Sequence, residues 1–356
     1  MRIVIFGPDR RVGGWEGDLV VDLNQAWAAL HQSRGTPGDA QANADERVPS
    51  ELVRLIDRGP AGLDDARTAL EFAVATGGDE LVHERCKTVL HPPAVSRPRI
   101  ACAANNYAGH TLGSVSARAG ASAALPSAAM IAAGVGSTTV PSPEQIVTQT
   151  RAAAEIRGFW KDFADPSGPE GEVPYPGDAT LFDYEGEVAV VLGKRTKGVS
   201  ASQSRDCVWG VTLHNDLSIR SLHAETGAKS FHLSKNFERS ASVGPSIFVG
   251  EFDLQDIEVE TRVNGEVRQR YNSRDMIFSF GEFIEHLSQN LVLLPGDMIS
   301  GGSGAGSAID SATLRPGGKI WPDDLDTRLF LSVGDTVEVS TPQIGTLRNR
   351  IVESTS

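Results

Sequence analysis

The stretch Leu181-Phe-Asp-Tyr-Glu-Gly-Glu-Val-Ala-Val-Val-Leu-Gly193 restricts the fold more than any other part of the chain. Its second half, Val188 to Leu192, is apolar at every position, the pattern of a strand buried on both faces. Its first half sets Asp183, Glu185 and Glu187 at alternate positions, so an extended backbone points all three the same way. Ionised carboxylates converging at the mouth of a buried strand are costly unless a cation or strong donors offset them. An exposed sheet edge would tolerate such charges, but the flanking apolar run argues against exposure. The chain must therefore build a β-rich core around an acidic cluster, and a divalent cation is the simplest counterion.

A further acid lies downstream. Val208-Trp-Gly-Val-Thr-Leu213 is a second apolar, β-branched run, and it ends in His214-Asn215-Asp216. An acid closing a core strand sits on rigid scaffold and reaches a cleft; as a bland alternative, Asp216 could cap a turn with Asn215. Glu185, Glu187 and Asp216 form a hard oxygen set suited to Mg²⁺, with Mn²⁺ or Ca²⁺ as substitutes, rather than to zinc. Asp183 reads as a supporting acid. Three carboxylates exceed the charge of one divalent ion, so a neighbouring cation is expected, and Lys229 and Lys235 are the nearest downstream.

These motifs carry a resemblance. Asp183 to Lys194 resembles the metal-binding signature of the fumarylacetoacetate hydrolase family. The likeness continues through Asn215-Asp-Leu-Ser-Ile-Arg220, Lys235-Asn-Phe with Gly244-Pro245, Arg262-Val-Asn-Gly-Glu266, Met276-Ile-Phe278, Leu294-Pro-Gly-Asp-Met-Ile299 and Gly345-Thr-Leu-Arg-Asn349. Upstream, Ile100 to His110 resembles the family's Asn-Tyr-x-x-His element, here Asn106, Tyr107 and His110. The resemblance implies an α+β, β-rich fold: a mixed β-roll catalytic domain over residues 96–356 behind a small N-terminal α/β domain over residues 1–95. It also implies a homodimer.

The rest of the chain is consistent with a large globular enzyme. A net charge of −13 disfavours nucleic acid as a partner, because phosphate binding needs a basic face. No apolar run reaches membrane-spanning length, and the start lacks a signal-peptide pattern. Cys86, Cys102 and Cys207 have no C-x-x-C spacing and read as reduced thiols, which places the protein in the cytoplasm. Arg2–Phe6 and Asp18–Leu23 read as strands around a turn at Gly13-Gly14, Asn24–His31 as a helix and Gly35–Ala44 as a surface loop. Ser50–Ile56 and Gly62–Ala75 have helical spacing, with Ser50 as N-cap. Pro92-Pro93 and Pro98 mark the passage to the main body. Residues 113–149, rich in Ala, Ser and Gly, read as an insertion or flap, and Glu282–Gln289 as a short helix.

Through the resemblance, residues acquire roles. Lys235, whose spacing to Gly244-Pro245 fits the family better than that of Lys229, is the expected active-site cation. Arg220 reads equally as structural or substrate-binding. His110 and Tyr107 lie on the early motif, and His110 is the expected base. In many relatives a glutamate three positions on makes that histidine basic; here the position is Gly113, and Glu144, Glu155 and Glu170 are the candidates to replace it. His223 stands where the family has glutamine and could act as a second acid/base group. The loop Ser300-Gly-Gly-Ser-Gly-Ala-Gly306, with Gly302 and Ser303, offers exposed amides and a hydroxyl for a substrate carboxylate or keto oxygen. The expected reaction is Mg²⁺-dependent hydrolysis of a carbon–carbon bond in a small acidic 1,3-dicarbonyl or acylpyruvate-type compound, through a stabilised enolate. A 2-oxo acid decarboxylase, tautomerase or sugar-acid dehydratase on the same metal site is the alternative, and the missing acid at Gly113 leans that way.

Overall fold

The structure, a computed structural model, describes residues 1–78, 80–96, 98–112, 142–162, 164–177, 179, 181–220, 231–313 and 327–354. His223 and Lys229 lie outside the described residues, as does 113–141 of the expected insertion. Its remainder opens the helix Pro143–Ala152, whose start is fixed by a capping box between Ser142 and Gln145.

In chain order the strands are β1 (Arg2–Phe6), β2 (Arg11–Glu16), β3 (Leu19–Asp22), β4 (Val82–Glu84), β5 (Leu90–His91), β6 (Ile100–Ala103), β7 (Gly158–Lys161), β8 (Gly171–Pro174) and β9 (Phe182–Asp183). They continue with β10 (Gly186–Leu192), β11 (Val208–Asp216), β12 (Ser218–Ile219), β13 (Ala241–Phe248), β14 (Glu258–Val263), β15 (Glu266–Asn272), β16 (Met298–Ser300), β17 (Thr336–Thr341) and β18 (Gly345–Val352). The main sheet runs β4-β3-β2-β1-β13-β11-β10-β16-β6-β7, with β5 beside β1; a five-stranded sheet runs β15-β14-β17-β18-β8, and β9 pairs with β12. Strands and helices mix throughout, an α+β, β-rich architecture.

The N-terminal strands are continuous with the main sheet: β1 pairs with β13 through Arg2↔Phe248 and Ile3↔Ile247. Gly13 and Gly14 were expected in a turn but lie within β2. A Cβ on Gly13 would meet the Phe6 ring at 2.8 Å, and one on Gly14 would meet Leu23 Cδ2 at 2.9 Å, so these glycines serve close packing. The expected loop Gly35–Ala44 turns helical at Ala40, because the Asp39 carboxylate accepts from the Gln41 and Ala42 amides. The next helix, Leu52–Asp57, follows Glu51 rather than the expected Ser50 cap. Glu282–Gln289 falls within the longer helix Phe280–Asn290, capped by Ser279.

The two faces of β10 part company. Val188, Val190 and Leu192 pack with Leu213, Ile299, Phe280 and, from the second sheet, Val339 and Leu347. Val191 on the opposite face joins Ile100, Cys102, Val243 and Met298 under the helices Leu23–Ser33 and Gly59–Thr76. Glu187 shares that second face, two pleats along. Cross-strand pairs then carry the face sideways: Glu187↔His214 and Ala189↔Ser300, Ser300↔Cys102, Ile100↔Lys161 and Cys102↔Phe159. The register alone thus collects Glu187, His214, Asp216, Ser300, Cys102, Phe159 and Lys161 on one side of the sheet.

Candidate active site

Glu185, Glu187 and Asp216 are buried, and one carboxylate oxygen from each lies within 4.8 Å of the others. The intervening Gly186 is required by packing: a Cβ there would stand 2.1 Å from Thr261 Oγ1 and 3.0 Å from Val339 Cγ1. The turn into β10 is tied to β11, since the Asp216 amide donates to the Glu185 carbonyl (2.8 Å) and the Glu185 amide donates to Asn215 Oδ1 (3.1 Å).

Four cationic groups enclose the acids. Lys235 donates to Glu185 Oε2 and, at 2.8 Å, to Asp216 Oδ2. Lys161, at the end of β7, donates to Asp216 Oδ1 and to the Leu217 carbonyl (2.7 Å). Arg220 spans Asp183 (Nε to Oδ2, 2.9 Å) and Glu185. His110 places Nε2 3.1 Å from Glu185 Oε1 and Nδ1 2.8 Å from Asp310 Oδ2. Burial pushes the Glu185 carboxyl up, but Arg220, Lys235 and His110 outweigh it and hold it well below the usual range. For Glu187 burial prevails, helped by the charge of Asp216, and its carboxyl is raised. Burial lowers Lys161 despite Asp216, whereas Asp216 and Glu185 overcome the burial of Lys235 and raise it. Burial would lower His110 too, yet Asp310 and Glu185 raise it to about 10. Hence His110 carries a proton on each nitrogen while both carboxylates face it.

Several expectations change. Glu144, Glu155 and Glu170 are bound to Ser142, Arg157 and Arg348, and none reaches His110; its carboxylate partner is Asp310, two hundred residues on. The loop after β16 was expected to expose its amides, but residues 301–304 are buried. Their glycines let the chain lie against neighbours: a Cβ on Gly301 would meet Phe280 at 2.8 Å, on Gly302 the Ala103 carbonyl at 3.1 Å, and on Gly304 the Tyr271 ring at 2.3 Å. The Ser303 hydroxyl accepts from Gln269 Nε2 at 2.7 Å. Gln269 in turn accepts from the Gly186 amide at 3.0 Å, so the pair braces the carboxylate turn. Tyr107 packs edge-on against Tyr271 with ring centres 5.0 Å apart. Asn106 anchors the motif by donating to the Phe278 and Gly301 carbonyls and accepting from the Phe278 amide.

Lys161, Asp310, Ser300 and His214 join the site without having been singled out. The Ser300 hydroxyl donates to Glu187 and lies 3.1 Å from His214 Nδ1, a relay that orients that carboxylate. Pleat parity could have found His214, two residues before Asp216, and Lys161, two after Phe159. No local pattern marks Asp310.

The donor set fits a divalent ion: hard carboxylate oxygens from three buried side chains, close together. A second trio of Cys102, Glu187 and His214 fits less well. Burial, then Asp216 and Glu187, push the Cys102 thiol far above its ordinary value, so it stays protonated and a poor ligand.

Residues 99–352 match the model of the fumarylacetoacetate hydrolase C-terminal family. The chain is 30% identical over 314 residues to the oxaloacetate tautomerase YisK of Bacillus subtilis, covering 86% of this chain and 88% of that protein. It is 25% identical to a mitochondrial oxaloacetate tautomerase of Bos taurus over 99% of this chain and 92% of that one. Among solved structures, a maleylpyruvate hydrolase from Sphingobium sp. SYK-6 in complex with manganese(II) and pyruvate covers both chains fully, with a TM-score of 0.64 at 20% identity. A putative HpcE protein from Mycobacterium smegmatis reaches 0.68 at 22% identity, covering 99% of this chain and 100% of that one. These two likenesses establish the fold. Among the described residues, no helix is long and apolar enough to cross a membrane.

Proposed function

The chain belongs to the fumarylacetoacetate hydrolase family, whose members are enzymes acting on small acidic compounds, and on that premise we propose that it is a Mg²⁺-dependent tautomerase of oxaloacetate-type 2-oxo acids. Glu185, Glu187 and Asp216 would hold the ion, which when bound supplies Lewis-acid polarisation of the substrate's keto or enol oxygen. The observation that carries the reading is His110: its Nε2 touches Glu185 directly, so a ligand seated against the carboxylates lies within proton-transfer reach of the ring. His110 delivers its Nε2 proton to C3 of the enol, the enol oxygen gives up its own proton to solvent, and the ring takes one back from solvent, so that no water is consumed and the catalyst is restored. Lys235 keeps its charge beside Glu185 and Asp216, where it steadies the negative charge that develops on the oxygen. Arg220 and Asp183 hold Glu185 in place.

Hydrolysis of a carbon–carbon bond in an acylpyruvate is the second reading. It is favoured by the His110–Asp310 contact, because a histidine backed by a carboxylate is also what water activation requires. The argument for non-hydrolytic chemistry from the missing acid at Gly113 therefore lapses.

The test follows the enol absorbance of oxaloacetate with Mg²⁺ or with chelator, alongside acylpyruvates in ¹⁸O water. We expect metal-dependent enol decay without CO₂ release, abolished by Glu187→Gln and reduced at least a hundredfold by His110→Ala. Labelled carboxylic acid from an acylpyruvate, with enol decay unchanged, would establish the hydrolase instead. Turnover that persists in chelator would remove the metal assignment.

A further inference from the structure

We infer that Gln269 and Tyr271, both on β15 of the second sheet, are positioning residues for the ion site: together they hold the N–H and the C=O of Gly186, and so fix the two peptide planes from which the Glu185 and Glu187 carboxylates project. The inference rests on the reading of Glu185, Glu187 and Asp216 as ion ligands and adds to it the strand that sets their spacing.

The sheet leaves Gly186 in need of partners. The Asp216 amide bonds to the Glu185 carbonyl, so in the alternation of an antiparallel pair Gly186, opposite Asn215, turns its own polar groups away from β11. On that other side β16 pairs with Ala189–Val191 and stops short of it. Side chains stand in for the missing strand. Gln269 Oε1 accepts from the Gly186 amide at 3.0 Å, and the Tyr271 hydroxyl donates to the Gly186 carbonyl at 2.7 Å. Gln269 is buried, and the Tyr271 ring is held between Tyr107 and the backbone of Gly304. Ser303 Oγ, at 3.4 Å from the same carbonyl, adds a weak contact.

β15 is placed for this task by its own turn. Asn264 and Gly265 have φ of 52° and 81°, the two-residue hairpin geometry that sets Val263 opposite Glu266. Past a bulge, the register puts Gln269 opposite Thr261 and Tyr271 opposite Val259, two residues apart and on one face. A carboxamide both accepts and donates. While its oxygen takes the Gly186 amide, Gln269 Nε2 donates to Ser303 Oγ (2.7 Å) and to the Gly304 carbonyl (2.9 Å). One side chain thus ties the link between the two acids to the loop after β16. Mg²⁺ demands nearly octahedral oxygen geometry at short distance, whereas Ca²⁺ accepts irregular sets at longer distance. A braced pair of carboxylates therefore favours the smaller ion.

The experiment titrates Mg²⁺ and Ca²⁺ separately, by calorimetry, into chelator-stripped wild type, Tyr271→Phe and Gln269→Met. Melting in chelator shows that each variant folds. Tyr271→Phe keeps the ring and removes one bond, while Gln269→Met keeps the length and removes the bonds at both ends. Each should weaken Mg²⁺ binding by about tenfold or more, the scale for groups that orient metal ligands, and leave Ca²⁺ binding within about threefold. The preference for Mg²⁺ over Ca²⁺ therefore falls, which a general loosening of the fold would not produce. If Gln269→Met does not fold, Tyr271→Phe decides alone. The inference is overturned if Tyr271→Phe binds Mg²⁺ within about threefold of wild type, or if both ions weaken by equal factors. In those cases the ion site itself stands. Wild type that binds neither ion would instead remove the ligand reading and this inference together.

Discussion

Arg220→Met offers the sharpest test of how the acidic cluster is held together. Arg220 is 9% exposed, and its guanidinium serves Asp183 and Glu185 at once. Methionine preserves much of its bulk and removes its charge. Asp183 would retain the Tyr184, Ala308 and Ile309 amides and Glu185 would retain Lys235 and His110, so the loss is partial. Removing one member of a buried ion pair costs about 3–5 kcal/mol. At about 2.1 cal/mol/K per residue, 356 residues carry about 0.75 kcal/mol/K of unfolding entropy in a single transition, so each kcal/mol moves the midpoint by about 1.3 °C. The variant should therefore melt about 4–7 °C lower in chelator at neutral pH. The pH dependence has a definite sign. In the native chain Glu185 sits well below the ordinary carboxylate range, so its stabilisation is present above the unfolded pKa of about 4.3 and is lost as pH falls toward the folded value. Without Arg220 that depression shrinks. The deficit should be full at pH 7 and narrow only below about 4.3, as pH falls toward the depressed value of Glu185 in the native chain. Scanning calorimetry at pH 7, 5 and 4 measures both. A midpoint within 1 °C of wild type at pH 7, or a deficit that widens in acid, would refute the charge-compensation argument.

Two smaller changes probe the packing around the site. Ser303→Ala should leave kcat and KM within about threefold and cost about 1 kcal/mol, because its hydroxyl meets Gln269 rather than open cleft; a tenfold rise in KM would restore it as a substrate contact. Gly186→Ala should destabilise the fold by about 1–3 kcal/mol and weaken Mg²⁺ binding, since the new methyl collides with Thr261 Oγ1. Adding Thr261→Ala should recover part of both losses, and a single variant with unchanged melting would show that the turn yields freely.

What could be read from the chain follows the reach of local rules. Glu187 and the apolar run beyond it are properties of one strand, β10, and period-two patterning announces them without help, whereas Asp183 falls in the short strand β9 and Glu185 in the link between the two. Helical spacing likewise located the segments near 52–57 and 59–76. Gly13 and Gly14 misled because a glycine pair signals a turn and a close contact equally; only the positions of Phe6 and Leu23 distinguish them. The Ser300–Gly306 loop misled in the same manner, since flexible composition proved to be tight packing against Tyr271 and Phe280. Lys161 and Asp310 meet their partners across 55 and 200 residues, and no short-range pattern encodes a partner that distant.

The apolar layer beneath the first two long helices has an electrical consequence. Leu23, Ala66 and Ala69 belong to the same packed cluster as Cys102, Ala241 and Val243, which border Glu187 and Asp216 on their face of the sheet. The opening third of the polypeptide thus works as insulation, keeping water off one flank of a densely charged nest and so lengthening the range of every field inside it. A polar substitution or a small void there, far from any reacting atom, would let solvent in and damp the forces that set Glu187 and Lys161 away from their ordinary protonation behaviour.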